Sequence, residues 1–206
     1  MTLTEMGRRD KDVSRVLNTL GSREKNMGLE EAARALLDSE EEILTGNRED
    51  YERAEAGGMS QGLLDRLKLT PARIQAMADG LLQVAALDDP VGEVLSMKLR
   101  PNGLQIGQKR VPLGVIGMIY EARPNVTADA FGLCFKSGNA VILKGSSAAL
   151  QSNKAIVQAL RTGLLRAGLP EESLQLIEDA SRDTTKELMR LNRYIDGLIP
   201  RGGAGS

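Results

Sequence analysis

Histidine is absent from this 206-residue sequence, cysteine occurs once and tryptophan not at all. Without an imidazole, these residues hold no Ser-His-Asp or Cys-His nucleophile, no histidine-bearing zinc site and no histidine general base. A single thiol, Cys134, rules out internal disulfides and cysteine clusters. Aromatics amount to 2%, at Tyr51, Tyr120, Phe131, Phe135 and Tyr194, too few to stack the bases of single-stranded nucleic acid. No apolar run approaches the length that spans a bilayer, and the start lacks the basic, apolar, small-residue order of a secretory leader. The expectation is a soluble, cytoplasmic chain with an aliphatic core.

Hydrophobic residues make up 41%, enough for one sizeable domain or a small domain with an appendage. The formal charge is −1 but unevenly placed: residues 1–60 carry 9 basic and 14 acidic side chains (−5), residues 61–206 carry 18 and 14 (+4). Between positions 98 and 144, Lys98, Arg100, Lys109, Arg110, Arg123, Lys136 and Lys144 face only Glu121 and Asp129. That surplus fits a small anionic ligand better than a nucleic-acid groove; a strand edge guarded by charge explains its first part equally well.

Apolar spacing divides the chain at Pro90. Before it, Val13, Val16, Leu17 and Leu20, then Leu29, Ala32, Ala33, Leu36 and Leu37 recur at helical period, with Gly46 as the expected end. Ser60 is placed to cap a short helix through Leu67, and Thr70-Pro71 to cap one reaching about Leu87. Residues 94–100 and 104–111 predict a hairpin turned at Pro101-Asn102-Gly103. From Pro112 strands and helices alternate: strands at 115–120, 140–144, 174–177 and 195–199; helices at 127–137, from Ser146 or Ser147 to Gly168, and at 182–191 behind Ser181. Such alternation predicts an α/β fold with a parallel, doubly covered sheet of Rossmann-like type. The expected parts are a helical region at 1–90, a hairpin arm at 91–111 and a dinucleotide-binding domain at 112–206.

Three groups of residues carry candidate chemistry. Lys144 ends a strand and is followed by Gly145-Ser146-Ser147 at a helix start, where an ammonium and free helix-start amides could meet an anion; alternatively the lysine marks a strand end and the serine only caps. Arg201, Gly202 and Gly203 follow the last strand, where glycines let backbone amides approach a pyrophosphate, although the spacing is not the dinucleotide fingerprint and a flexible tail is the plain alternative. Arg123 and Asn125 stand where the first parallel strand enters a helix; a helix cap at Asn125 or Thr127 and an Arg123–Glu121 pair are the structural alternatives. Cys134, mid-helix among Phe131, Leu133 and Phe135, reads as a buried, inert thiol.

The run VPLGVIGMIYEARPNVTADAFGLCFKSGNAVILKGSS at 111–147, the closing IDGLIPRGGAGS and the MSQGLLDRLKLTPARI stretch resemble the gamma-glutamyl phosphate reductases, or glutamate-5-semialdehyde dehydrogenases, of the aldehyde dehydrogenase superfamily. The resemblance implies NADPH-dependent reduction of L-glutamyl 5-phosphate to the semialdehyde with release of phosphate, the second step of proline biosynthesis, through a cysteine-bound acyl intermediate. Members of that family continue past the RGGAG loop into a half that carries the nucleophilic cysteine, so this chain is similar to their N-terminal, cofactor-binding half and is expected to be inactive alone. By the same resemblance Lys144, Ser146, Ser147, Arg201, Gly202 and Gly203 would hold NADP(H), Asn125 would donate to the oxyanion, and Arg123 would bind the substrate's phosphate or carboxylate. The hairpin resembles an oligomerisation arm, which implies a homo-oligomer, with glutamate 5-kinase as a pathway partner. Two further readings stay open: a non-catalytic fragment that binds nucleotide or a partner chain, and a reductase of another acyl phosphate or of a coenzyme A thioester.

Overall fold

A computed structural model describes residues 2–179 and 181–201, with the side chain of Arg182 left out. Five helices come first: α1 (Leu3–Leu17), α2 (Ser22–Asp38), α3 (Glu40–Ala56), α4 (Gln61–Leu67) and α5 (Pro71–Ala86). Gly46 does not end a helix, contrary to the sequence expectation, but lies inside α3. A Cβ there would sit 3.0 Å from the Gln151 carbonyl oxygen, so the glycine serves a close approach to another element. The break falls instead at Ser39. Thr70 caps α5 as expected, its hydroxyl accepting from the Arg73 amide at 3.2 Å, with Pro71 in the first turn.

Strands β1 (Val94–Leu99) and β2 (Gln105–Lys109) form the expected antiparallel hairpin, exposed along its whole length. Its turn needs Gly103 at φ +86°, a conformation that side chains with a Cβ disfavour. The alternating part follows: β3 (Val115–Tyr120), α6 (Asn125–Lys136), β4 (Ala140–Lys144), α7 (Leu150–Arg166), β5 (Leu174–Leu176), α8 (Arg182–Arg190) and β6 (Gly197–Arg201). The four strands form one parallel sheet in the order β5-β4-β3-β6. The chain is therefore α/β, with β3 and β4 buried as continuous apolar runs at the centre.

Boundaries shift where a side chain or turn takes over a backbone group. β6 starts two residues later than expected, because the Tyr194 and Ile195 amides both donate to the Leu191 carbonyl at 2.9 Å and stay in a turn. Asp196 then bridges to β3, its carboxylate accepting from the Val115 amide at 2.9 Å and from Lys11 at 2.6 Å. Ser146 opens a single 3-10 turn at Ser147–Ala149 rather than α7 itself.

Both faces of the sheet are covered. On one, Tyr120 of β3 reaches Thr127 of α6; on the other, Gln175 of β5 donates to the Met6 carbonyl at 3.3 Å and to Asp10 of α1. Asp10 is fully buried, and its Oδ2 has no hydrogen-bond partner among the described residues. Burial pushes its carboxyl up to about 8, against the opposing pull of the Gln175 hydrogen bond and the Arg161 charge. Helix α2 packs on α5 and α7, and at Gly163 of α7 an added Cβ would overlap the Ala32 backbone of α2. One apolar cluster accordingly runs from Leu29, Leu36 and Ile74 through Phe131 and Phe135 to Val141 and Leu160.

Candidate functional site

Parallel strands all point the same way, so the carboxyl ends of β3, β4 and β6 form one rim. Register places Lys144 beside Ile119 and Arg201 beside Tyr120, on opposite sides of β3 and so two strand spacings, about 10 Å, apart in backbone terms. The expected site residues thus divide into a Lys144 group and an Arg123–Arg201 group.

Lys144 is buried and makes no hydrogen bond or ion pair among the described residues. Burial lowers its pKa from the usual lysine value, and the Asp179 charge partly opposes that. An ammonium held in this way gains most from an anionic ligand that supplies the missing partners. Ser146 beside it turns its hydroxyl onto the Ala148 amide at 3.2 Å, and Ser147 begins the 3-10 turn. The free helix-start amides expected next to Lys144 are not free. Asp50 of α3 accepts from the Gln151 amide at 3.3 Å, the Ser152 amide at 2.7 Å and the Ser152 hydroxyl at 2.7 Å, so a carboxylate already occupies the start of α7. Nothing in local sequence pairs Asp50 with Ser152, which lies 102 positions away.

Behind the loop, the Tyr120 and Thr127 hydroxyls are 2.7 Å apart and Thr127 donates to the Asn153 Oδ1 at 3.0 Å, all three being buried. Burial raises the Tyr120 pKa well above the tyrosine range, so the hydroxyl stays protonated. Asn153 Nδ2 has no partner among the described residues and lies against Gly145, where any side chain would collide with it. This polar chain fixes where β3, α6 and α7 meet directly below the Lys144–Ser147 loop.

On the other side of β3, Arg123 and Asn125 are exposed at the start of α6. Asn125 is not the cap, as one structural alternative had it: Pro124 holds that position, Asn125 is the first helical residue, and Thr127 is committed to Tyr120 and Asn153. Arg123 and Asn125 line a cleft of about 480 Å³ with Asp65, Arg66, Arg73 and Asp129. An adjoining pocket of about 210 Å³ is lined by Arg66, Tyr120, Glu121, Arg123, Val126 and Arg201. Arg66 of α4, shared by both, is not singled out by the sequence; only the tertiary fold brings it to the same cavities as the start of α6. Burial raises the Asp129 pKa, and the charge of Arg201 opposes the rise.

Gly202 and Gly203 lie outside the described residues. Cys134 is buried and burial pushes its thiol up to about 12, which suits an inert core residue. The basic surplus noted in the sequence is not one patch: Lys98, Arg100, Lys109 and Arg110 are on the hairpin, and Lys136 donates to Asn26 at 2.6 Å and the Ala85 carbonyl at 2.9 Å.

No family model matches the chain. Among curated proteins it is 58% identical over 199 residues to the gamma-glutamyl phosphate reductase of Clostridium botulinum (strain Eklund 17B / Type B), covering 97% of this chain and 48% of that protein. Over nearly its whole length the chain is similar to gamma-glutamyl phosphate reductases. It spans about half the length of the curated relatives it matches. The crystal structure of the Thermotoga maritima gamma-glutamyl phosphate reductase superposes with a TM-score of 0.95 at 43% identity, over 98% of this chain and 49% of that one. A probable aldehyde dehydrogenase from Listeria monocytogenes, 14% identical, shares the fold with a TM-score of 0.74 over 97% of this chain and 41% of that one. Among the described residues no helix is long and apolar enough to cross a membrane, and no acidic or cysteine cluster is arranged to hold a metal ion.

Proposed function

We propose that this chain contributes the cofactor rim, and part of the substrate site, to a cytoplasmic NADPH-dependent reductase that converts L-glutamyl 5-phosphate to L-glutamate 5-semialdehyde and phosphate. The observation that carries the reading is Lys144: a buried ammonium with no hydrogen bond or ion pair among the described residues, at the carboxyl end of a central parallel strand, in a chain 58% identical to a gamma-glutamyl phosphate reductase. A nicotinamide dinucleotide fits that donor set, since its ribose and phosphate oxygens can accept from Lys144 while the Ser146 and Ser147 hydroxyls stand beside it. When bound, the reduced cofactor supplies hydride to the acyl carbon.

The chain's own residues then have distinct tasks. Lys144, Ser146 and Ser147 hold the adenosine side of NADP(H), while Arg201, with Gly202 and Gly203 after it, closes the rim. Asn125 donates an amide hydrogen to the acyl oxygen as negative charge develops there, a contribution of about 3 kcal/mol when aligned. Arg123 holds the substrate's anionic end in a guanidinium fork. Cys134 is not the nucleophile, because its thiol is buried in the core and stays protonated.

The division into a helical region (1–90), a hairpin arm (91–111) and a cofactor domain (112–206) belongs to the same proposal. The arm exposes Val94, Leu95, Met97, Leu99, Leu104 and Ile106 on a separate two-stranded sheet, left uncovered by the other described elements, which supports its use as the contact of a homo-oligomer. L-Glutamyl 5-phosphate requires a kinase acting on the side-chain carboxylate of glutamate, so glutamate 5-kinase is the pathway partner. Calorimetric titration with NADPH and NADH tests the cofactor assignment. Lys144→Ala should weaken NADPH binding about tenfold or more, as loss of a charged hydrogen-bond donor does; unchanged affinity removes Lys144 from the site.

A further inference from the structure

Three guanidinium groups converge on the pocket at the carboxyl ends of β3 and β6: Arg66 from α4, Arg123 from the loop before α6, and Arg201 at the end of β6. None of their side chains makes a hydrogen bond or ion pair among the described residues. Their neighbour Arg73, by contrast, is fully engaged, donating to the Asp65 and Lys68 carbonyls and to the Asp65 carboxylate. Unpaired arginines held together repel one another, and a dianion that accepts from several of them relieves that repulsion. The adjoining cleft shares Arg66 and Arg123 and adds Asp129, whose carboxylate feels the Arg201 charge but makes no hydrogen bond or ion pair among the described residues, while Asp65 is committed to Arg73.

We propose that the two cavities form one subsite for an α-amino acid bearing a terminal acyl phosphate, in which Arg66 and Arg123 grip the phosphoryl group, Arg201 stays with the cofactor rim at its edge, and Asp129 pairs with the α-ammonium. The inference rests on the proposed reductase reading and deepens it by assigning specificity for the amino-acid head to Asp129 and a phosphate contact to Arg66. Arg66 comes from α4, so the helical region takes part in substrate recognition. The combined space, about 480 and 210 Å³, accommodates a five-carbon chain with a charged group at each end. A phosphoryl group could also come from the cofactor's pyrophosphate, and the experiment separates the two sources.

The test is calorimetry on the 206-residue chain with the stable phosphonate analogue in which CH2 replaces the ester oxygen, 2-amino-5-oxo-6-phosphonohexanoate. Its counterpart without the amino group, inorganic phosphate and NADPH are titrated in parallel. Arg66→Gln should weaken both phosphonates about tenfold or more while leaving NADPH affinity unchanged. Asp129→Asn should weaken the amino-bearing phosphonate about tenfold and leave its deaminated counterpart unaffected. Far-ultraviolet circular dichroism establishes that each exposed-site variant is folded. The subsite is overturned if Arg66→Gln binds the phosphonates as the parent does, if it weakens NADPH instead, if Asp129→Asn affects both phosphonates equally, or if inorganic phosphate binds as tightly as the amino-bearing phosphonate. NADPH binding without phosphonate binding defeats this inference and spares the cofactor assignment; phosphonate binding without NADPH binding does the reverse.

Discussion

Replacing Asp10 by asparagine should change how the protein's stability depends on pH. Asp10 lies under the sheet with no exposed surface, one oxygen accepting from Gln175 and the other without a partner among the described residues. Its folded pKa of about 8, raised by burial, stands about four units above the unfolded value of about 3.9. Between those values the unfolded chain has lost the proton and the folded chain keeps it, so the folded state binds more protons and loses stability as pH rises. Each unit contributes up to about 1.4 kcal/mol, and the whole window on the order of 5 kcal/mol, comparable to the net stability of a small domain. Asparagine keeps an acceptor for Gln175 and has no proton to lose. Urea unfolding of both proteins at pH 5, 6, 7 and 8 gives the difference directly. The wild type should fall relative to Asp10→Asn by about 1 kcal/mol per unit between pH 5 and 7, levelling off above pH 8. Parallel curves for the two proteins would show that Asp10 ionises normally, and would refute the argument from its burial.

Two smaller tests concern the core beneath the rim. Thr127→Val keeps the shape but strips partners from the Tyr120 hydroxyl and the Asn153 Oδ1, at a cost of about 2–4 kcal/mol in urea unfolding at pH 7; Tyr120→Phe, which leaves the Thr127–Asn153 bond intact, should cost about 1 kcal/mol. A Thr127→Val midpoint indistinguishable from wild type would mean that the three side chains do not act as a unit. Cys134, its thiol raised to about 12 by burial, should resist iodoacetamide at pH 8 in the folded protein and react once it is unfolded in urea. Equal labelling rates in the two states would place it at the surface.

Legibility in the sequence followed the range of the forces involved. β3 and β4 were read to the residue because a strand buried on both faces is a continuous apolar run, and α5 because Thr70-Pro71 is a local signal. α3 was missed because only Ile43, Asn47, Asp50 and Ala54 of its 17 residues are buried, and a packing glycine inside it reads as a breaker. The same limit holds for the site. Lys144, Arg123 and Asn125 stand next to strand and helix ends and could be picked out by position. Arg66 and Asp50 could not, since each acts on an element far along the chain, and the pairing exists only once α3 and α4 have docked.

The contact of Gly163 with the Ala32 backbone bears on how the molecule comes apart. Two helices, one from the first ninety residues and one from the sheet layer, meet backbone to backbone at this point and leave no room there for a side chain. Loosening the first layer would strip the second of its cover in the same event, so melting should be a single cooperative transition, with calorimetric and van't Hoff enthalpies in agreement.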